Sequence, residues 1–92
     1  MSKLIAVPTA AELIQSVVRA FVDSPALVSI EEVSNQRGSI LFLRVDAADI
    51  GKVIGNQGQM ETALKDILRA RSVKMKHRYV LEILDDFDVN LQ

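Results

Sequence analysis

Apolar residues recur through Leu13, Ile14, Val17, Val18 and Phe21 at the spacing of one helical stripe. Thr9 with Glu12 three residues later has the form of a capping box, with Pro8 just ahead, so the helix begins there. Asp23-Ser24-Pro25 ends it, because proline disfavours a helical residue before it and has no backbone N–H to donate. The pattern then changes. Ala26 to Ser34 is rich in Val and Ile, and Ser39 to Val45 reads Ser-Ile-Leu-Phe-Leu-Arg-Val, which predicts two strands. Asn35-Gln36-Arg37-Gly38 between them predicts a tight antiparallel turn, with Gly38 supplying a positive φ. The second strand is apolar on both faces as far as Arg44, the pattern of a central strand.

In the second half, Asp46 is the N-cap of a short helix that ends at Ile54, with Asp49 also near its positive end and Ile50, Val53 and Ile54 as its stripe. Gly55 to Gly58 breaks that helix. Another follows from about Gln59 to Arg71, with Met60, Ala63, Leu64, Ile67 and Leu68 on one side and Lys65, Arg69 and Arg71 placed late, where the helix dipole favours positive charge. A last strand covers about Tyr79 to Leu84. The order is α-β-β-α-α-β. A strand, two helices and a strand form a crossover, so neighbouring strands of that unit are parallel. The expected architecture is an α+β fold, a mixed three-stranded sheet with three helices on one face. No repeat or linker divides residues 1–92, so one domain is expected, with its core at about 8–85, a short N-terminal segment and an acidic C-terminal tail.

Composition narrows the chemistry. The 92 residues include no cysteine, which excludes disulfides and thiolate metal sites and suits a reducing compartment. Runs such as Leu4 to Val7 and Ile40 to Leu43 are too short to span a bilayer, and no secretory signal pattern is present, so a cytoplasmic protein without membrane contact is expected. The net charge of −1 conceals an asymmetry. Lys52, Lys65, Arg69, Arg71, Lys74, Lys76 and Arg78 face only Glu61 and Asp66 between positions 52 and 78, whereas Glu82, Asp85, Asp86 and Asp88 leave the end acidic. His77 sits among bases and reads as a solvated turn residue. Asp85, Asp86 and Asp88 lack the glycine turn of a cation loop and read as a solvated tail, so neither a metal nor a cofactor is expected. Phe87 and Leu91 in that tail are either frayed or docked on a partner. No hydroxyl has a base and an orienting group around it, and no enzyme activity is expected.

The informative segment is Ile50-Gly51-Lys52-Val53-Ile54-Gly55-Asn56-Gln57-Gly58-Gln59-Met60. Two glycines around two polar residues let the backbone turn tightly and approach a ligand, and the next helix offers free N–H groups and its positive end to a phosphate. Ile50, Val53 and Ile54 offer an aliphatic wall for bases. The spacing fits neither a P-loop nor a dinucleotide fingerprint.

Set in the α-β-β-α-α-β order, Val53-Ile54-Gly55-Asn56-Gln57-Gly58 resembles the loop of type II KH domains. The chain is similar to the small stand-alone bacterial KH proteins of the KhpA family over about residues 8–85, including Pro25, Gly38 and the closing Tyr79-Val80-Leu81-Glu82-Ile83-Leu84-Asp85. The resemblance implies sequence-tolerant binding of single-stranded RNA, with about four nucleotides beside the Gly-x-x-Gly loop. It also implies a weak homodimer, pairing with a larger KH-containing RNA-binding protein, and a role as post-transcriptional regulator or RNA chaperone. The RNA-binding residues expected are Gly55, Asn56, Gln57, Gly58, Lys52, Ile50, Val53, Ile54, Gln59 and Arg69. Such loops usually carry a base at a variable position; here both are neutral, and Lys52 is the base one turn back. The alternative is a protein-interaction module on the same fold, with the glycine turn kept only as a helix joint.

Overall fold

A computed structural model describes residues 7–85; Asp86, Asp88, Phe87 and Leu91 of the tail lie outside them. Helix α1 (Ala10–Arg19) starts as its sequence predicts. The Thr9 hydroxyl accepts the Glu12 N–H at 3.1 Å and the Glu12 carboxylate accepts the Thr9 N–H at 2.8 Å, satisfying two donors of the exposed helix start. Ala10, Ile14 and Val18 are buried along its inner side. Strand β1 (Ser29–Ser34) begins three residues later than expected, because Pro25 opens a 3-10 turn over Pro25–Leu27.

Strand β2 (Gly38–Arg44) is central, antiparallel to β1 and parallel to β3 (Arg78–Ile83). Between β2 and β3 lie the short helix α2 (Ile50–Ile54) and the long helix α3 (Gln59–Met75), with the turn Asn56–Gly58 between them. Helix α3 continues past Arg71 because nothing from Ser72 to Met75 breaks it. Lys76 closes it in a left-handed conformation (φ 53°), a place more often given to glycine, with its N–H returned to the Ser72 carbonyl.

The pleat divides the sheet residues. Ser39, Leu41, Leu43 and Val45 turn inward and are buried, and Leu41 and Leu43 join Ile14, Val18, Val53, Leu64, Leu68 and Leu81 in the core. Each such aliphatic side chain stabilises the fold by ~1.5–3 kcal/mol. On the outer face Val33, Ile40 and Val80 form one row across the three strands, and Ile40 remains 39% exposed.

Three local expectations are revised. Gly38 has no positive φ; it is needed because a Cβ there would lie 2.5 Å from the Arg78 carbonyl oxygen on β3. The hairpin turn is closed instead by Asn35, whose Oδ1 accepts the N–H groups of Arg37 and Gly38 at 2.8 and 3.1 Å. His77 is half-buried rather than solvated. Its Nε2 lies 2.8 Å from Ser39 Oγ, which lies 2.7 Å from Ser34 Oγ, which donates to Glu32 at 3.0 Å. Asp49, expected to act on its own helix end, is fully buried and accepts the backbone N–H groups of Asp23 and Ser24 at 3.1 and 2.9 Å. That carboxylate ties the exit of α1 to the start of α2, which fixes the approach to the glycine turn.

Candidate functional site

The turn between α2 and α3 is built from backbone conformations that side chains resist. Gly55 sits at φ 80°, ψ 172°, a region essentially closed to other residues, and a Cβ there would lie 2.7 Å from Met60 N. The turn therefore lies directly against the start of α3. Gln57 (φ 56°) and Gly58 (φ 74°) are left-handed, and a Cβ at Gly58 would meet nothing within 4 Å. Gly55 N–H returns to the Gly51 carbonyl at 2.8 Å and Gly58 N–H to the Gly55 carbonyl at 3.1 Å. Asn56 and Gln57 are exposed, and their backbone N–H groups donate to no described residue. With the positive end of the 17-residue α3 just behind, this is a backbone cradle for an anion.

The aliphatic side of the turn is narrower than expected. Ile54 is 36% exposed and Ile50 is half-buried, but Val53 has no exposed surface and belongs to the core, so its side chain is withdrawn from any ligand. Gly51 is exposed with open space around it, which leaves a bare strip on α2 beside the turn. Gln59 is exposed at the first position of α3.

Three of the bases near the turn and on α3 are engaged. Lys52 Nζ lies 3.0 Å from Asp23 Oδ2; the hydrogen bond to Asp23 and then its charge raise the lysine's pKa above the ordinary value. Lys65 pairs with Glu61 at 3.0 Å and Arg69 with Asp66 at 2.9 Å, both within α3. These are exposed pairs of the kind worth little, so a phosphate competes with the acids at small cost.

A groove that periodicity did not reveal leads away from the turn. One wall is the side of α3 carrying Lys65, Arg69 and Ser72, Leu68 lies at its base, and Arg78 to Glu82 of β3 form the other wall. Strand β3 pairs only with β2, so it is an edge. Leu84 N–H donates to the Leu43 carbonyl at 2.9 Å, so the even-numbered residues of β3 point their backbone at β2 and Tyr79 and Leu81 point theirs outward. Ser72 Oγ takes up the Tyr79 N–H at 3.0 Å while donating to the Leu68 carbonyl at 2.8 Å. The N–H and C=O of Leu81 point to that edge of the strand, within the groove, where the residue keeps only 3% of its surface exposed. The strand order held the signal, since it made β3 an edge.

A family profile described as KhpA/KhpB, KH domain, matches residues 11–83. The chain belongs to this KH-domain family. It is 42% identical over 74 residues to the RNA-binding protein KhpA of Treponema pallidum, covering 80% of this chain and 92% of the relative. It is 36% identical over 73 residues to that of Caldanaerobacter subterraneus subsp. tengcongensis, covering 79% and 97%, and 37% identical over 73 residues to that of Clostridium acetobutylicum, with the same coverage. No solved structure matches the chain. The observed element order and mixed sheet are those of a type II KH fold, and the family match takes in α2, the glycine turn, α3 and β3 whole.

Proposed function

We propose that this KhpA-family chain binds single-stranded RNA, holding the backbone on the Gly55–Gly58 turn and the bases in the α3–β3 groove. The observation that carries the reading is the Asn56–Gln57 pair of unengaged N–H groups at the helix start, beside a groove whose edge strand offers Leu81 N–H and C=O. Ile54 supplies an aliphatic contact, Lys52 and Arg69 exchange their carboxylates for phosphates, and no step of bond chemistry is needed. Four nucleotides is the span such a turn holds, roughly. The biological role that fits is post-transcriptional regulation or RNA chaperoning in the cytoplasm. Among the described residues no helix is long and apolar enough to cross a membrane.

The test is Asn56→Asp with Gln57→Asp, which places two negative charges where the phosphate rests. Both residues are exposed, so the fold should persist while RNA binding is lost in a filter or anisotropy assay. Retained affinity in the folded double variant removes the turn as the site.

Self-association belongs to the same proposal. The outer side of α3 exposes Ala63 and Ala70 on the flank away from the groove residues Lys65, Arg69 and Ser72, with Val73, 75% exposed, between the two. A homodimer, or a larger KH-containing partner, docks there without covering the groove. The protein-interaction reading draws on the acid partners of Lys52, Lys65 and Arg69 and the neutral turn. It predicts that RNA retention is absent at low salt as well as high.

A further inference from the structure

The groove is continuous with a second hollow. Arg78 and Val80 of the edge strand line both the α3–β3 groove and a hollow at the hairpin end of the open sheet face. There the row Val33–Ile40–Val80 crosses all three strands, and Gly38, opposite Arg78 in the register, leaves the pleat bare beside it. Asn35 and Arg37 of the hairpin turn close the far side.

The charges around this hollow differ from those around the glycine turn. Lys52, Lys65 and Arg69 each have a carboxylate within salt-bridge distance. Among the described residues, the Arg37 and Arg78 guanidinium groups have neither an ion pair nor a hydrogen bond. Both are exposed, and neighbouring positions in the register bring them to the same end of the sheet. The next row along the open face is Glu31–Phe42–Glu82, so acids bound the hollow on the side away from the hairpin turn. A polyanion is thereby favoured at the hairpin end and repelled one row further on.

We propose that single-stranded RNA leaves the groove across the free edge of β3 and continues into this hollow. Arg37 and Arg78 hold a backbone phosphate there, and the Val33–Ile40–Val80 row carries the face of one base. The inference rests on the RNA-binding reading and extends it: the preferred ligand is longer than the groove alone accommodates. An arginine fork suits a phosphate that has no other partner, and neither fork must first give up an acid.

The experiment measures anisotropy of labelled, randomised-sequence RNA pools of roughly four and roughly eight nucleotides, with the parent protein and the Arg37→Gln variant, because Arg37 lines the hollow and not the groove. The parent should prefer the longer pool beyond the gain from extra binding registers. The variant should lose roughly tenfold on the longer pool only, with a log–log salt slope shallower by about 0.7 for each phosphate released. An unchanged length preference in the variant overturns the extended path and leaves the groove standing, with the hollow then open to a protein. Equal losses on both pools overturn it too, by showing that Arg37 acts on the groove itself. If neither pool binds the parent protein, the RNA-binding reading fails and takes this inference with it.

Discussion

Lys52 and Asp23 are held 3.0 Å apart across the junction between α1 and α2, so the base nearest the glycine turn is already occupied. Releasing it should help rather than harm. Asp23→Asn is expected to raise RNA affinity roughly threefold and to steepen the salt slope by about 0.7. Lys52→Ala in the parent should have the smaller effect, because the cost of breaking the pair disappears with the lysine. The raised pKa of Lys52 means its charge is complete below the ordinary lysine range and is lost only as pH rises through the higher folded value. Binding should therefore show no Lys52-dependent change at neutral pH; a pH profile that differs there between the parent and Lys52→Ala would contradict the pairing with Asp23.

Asp49 tests the scaffold rather than the contact. Its buried carboxylate satisfies two backbone N–H groups from the turn after α1. Asp49→Ala strands both donors and should cost ~2–4 kcal/mol in urea unfolding. Asp49→Asn keeps one acceptor but turns an NH2 toward the other donor, so it should also destabilise, by more than ~1 kcal/mol.

The two glycines of the turn should separate cleanly. Gly55→Ala meets Met60 backbone and an unsuitable φ and ψ together, and a loss of roughly 2–4 kcal/mol is expected. Gly58→Ala has open space and bears only the left-handed penalty, roughly 1–2 kcal/mol. Gly58→Asn should cost less again, since asparagine tolerates that conformation. Thermal unfolding that ranks Gly58 above Gly55 would contradict the packing of the turn on α3.

For self-association, sedimentation at tens of micromolar should show mass above the 10.2 kDa of one chain, falling on dilution. Ala70→Glu should return the protein to a monomer while sparing RNA affinity, because Ala70 is exposed on the flank of α3 away from the groove. A mass near 10.2 kDa at every concentration removes the dimer.

The sequence carried most of the framework because its signals were local. The Thr9–Glu12 box and the two-sided apolar pattern of β2 each involve neighbours in the chain and appear as read, whereas α1 ends at Arg19, before Phe21 and short of the expected stop at Asp23-Ser24-Pro25. The Gly55–Gly58 turn was legible for the same reason. What was misread depends on distant partners. Val53 looked available beside the turn, yet it is part of the buried core. Gly38 has its reason on β3, Asp49 bonds residues 25 and 26 positions away, and His77 meets Ser39 across 38. The groove wall on β3 exists only once strand order makes that strand an edge.

The hydrogen bonds linking Glu32, Ser34, Ser39 and His77 run in one direction only. An ionised carboxylate accepts and never donates, so the single Ser34 hydroxyl proton is committed to Glu32. Ser39 must then give its proton to Ser34, and the Ser39 oxygen is left to accept from His77 Nε2. In that order Nε2 is the ring nitrogen that donates to Ser39. The exposed acid on β1 is thus linked, through two serines, to the orientation of an imidazole at the opening of β3.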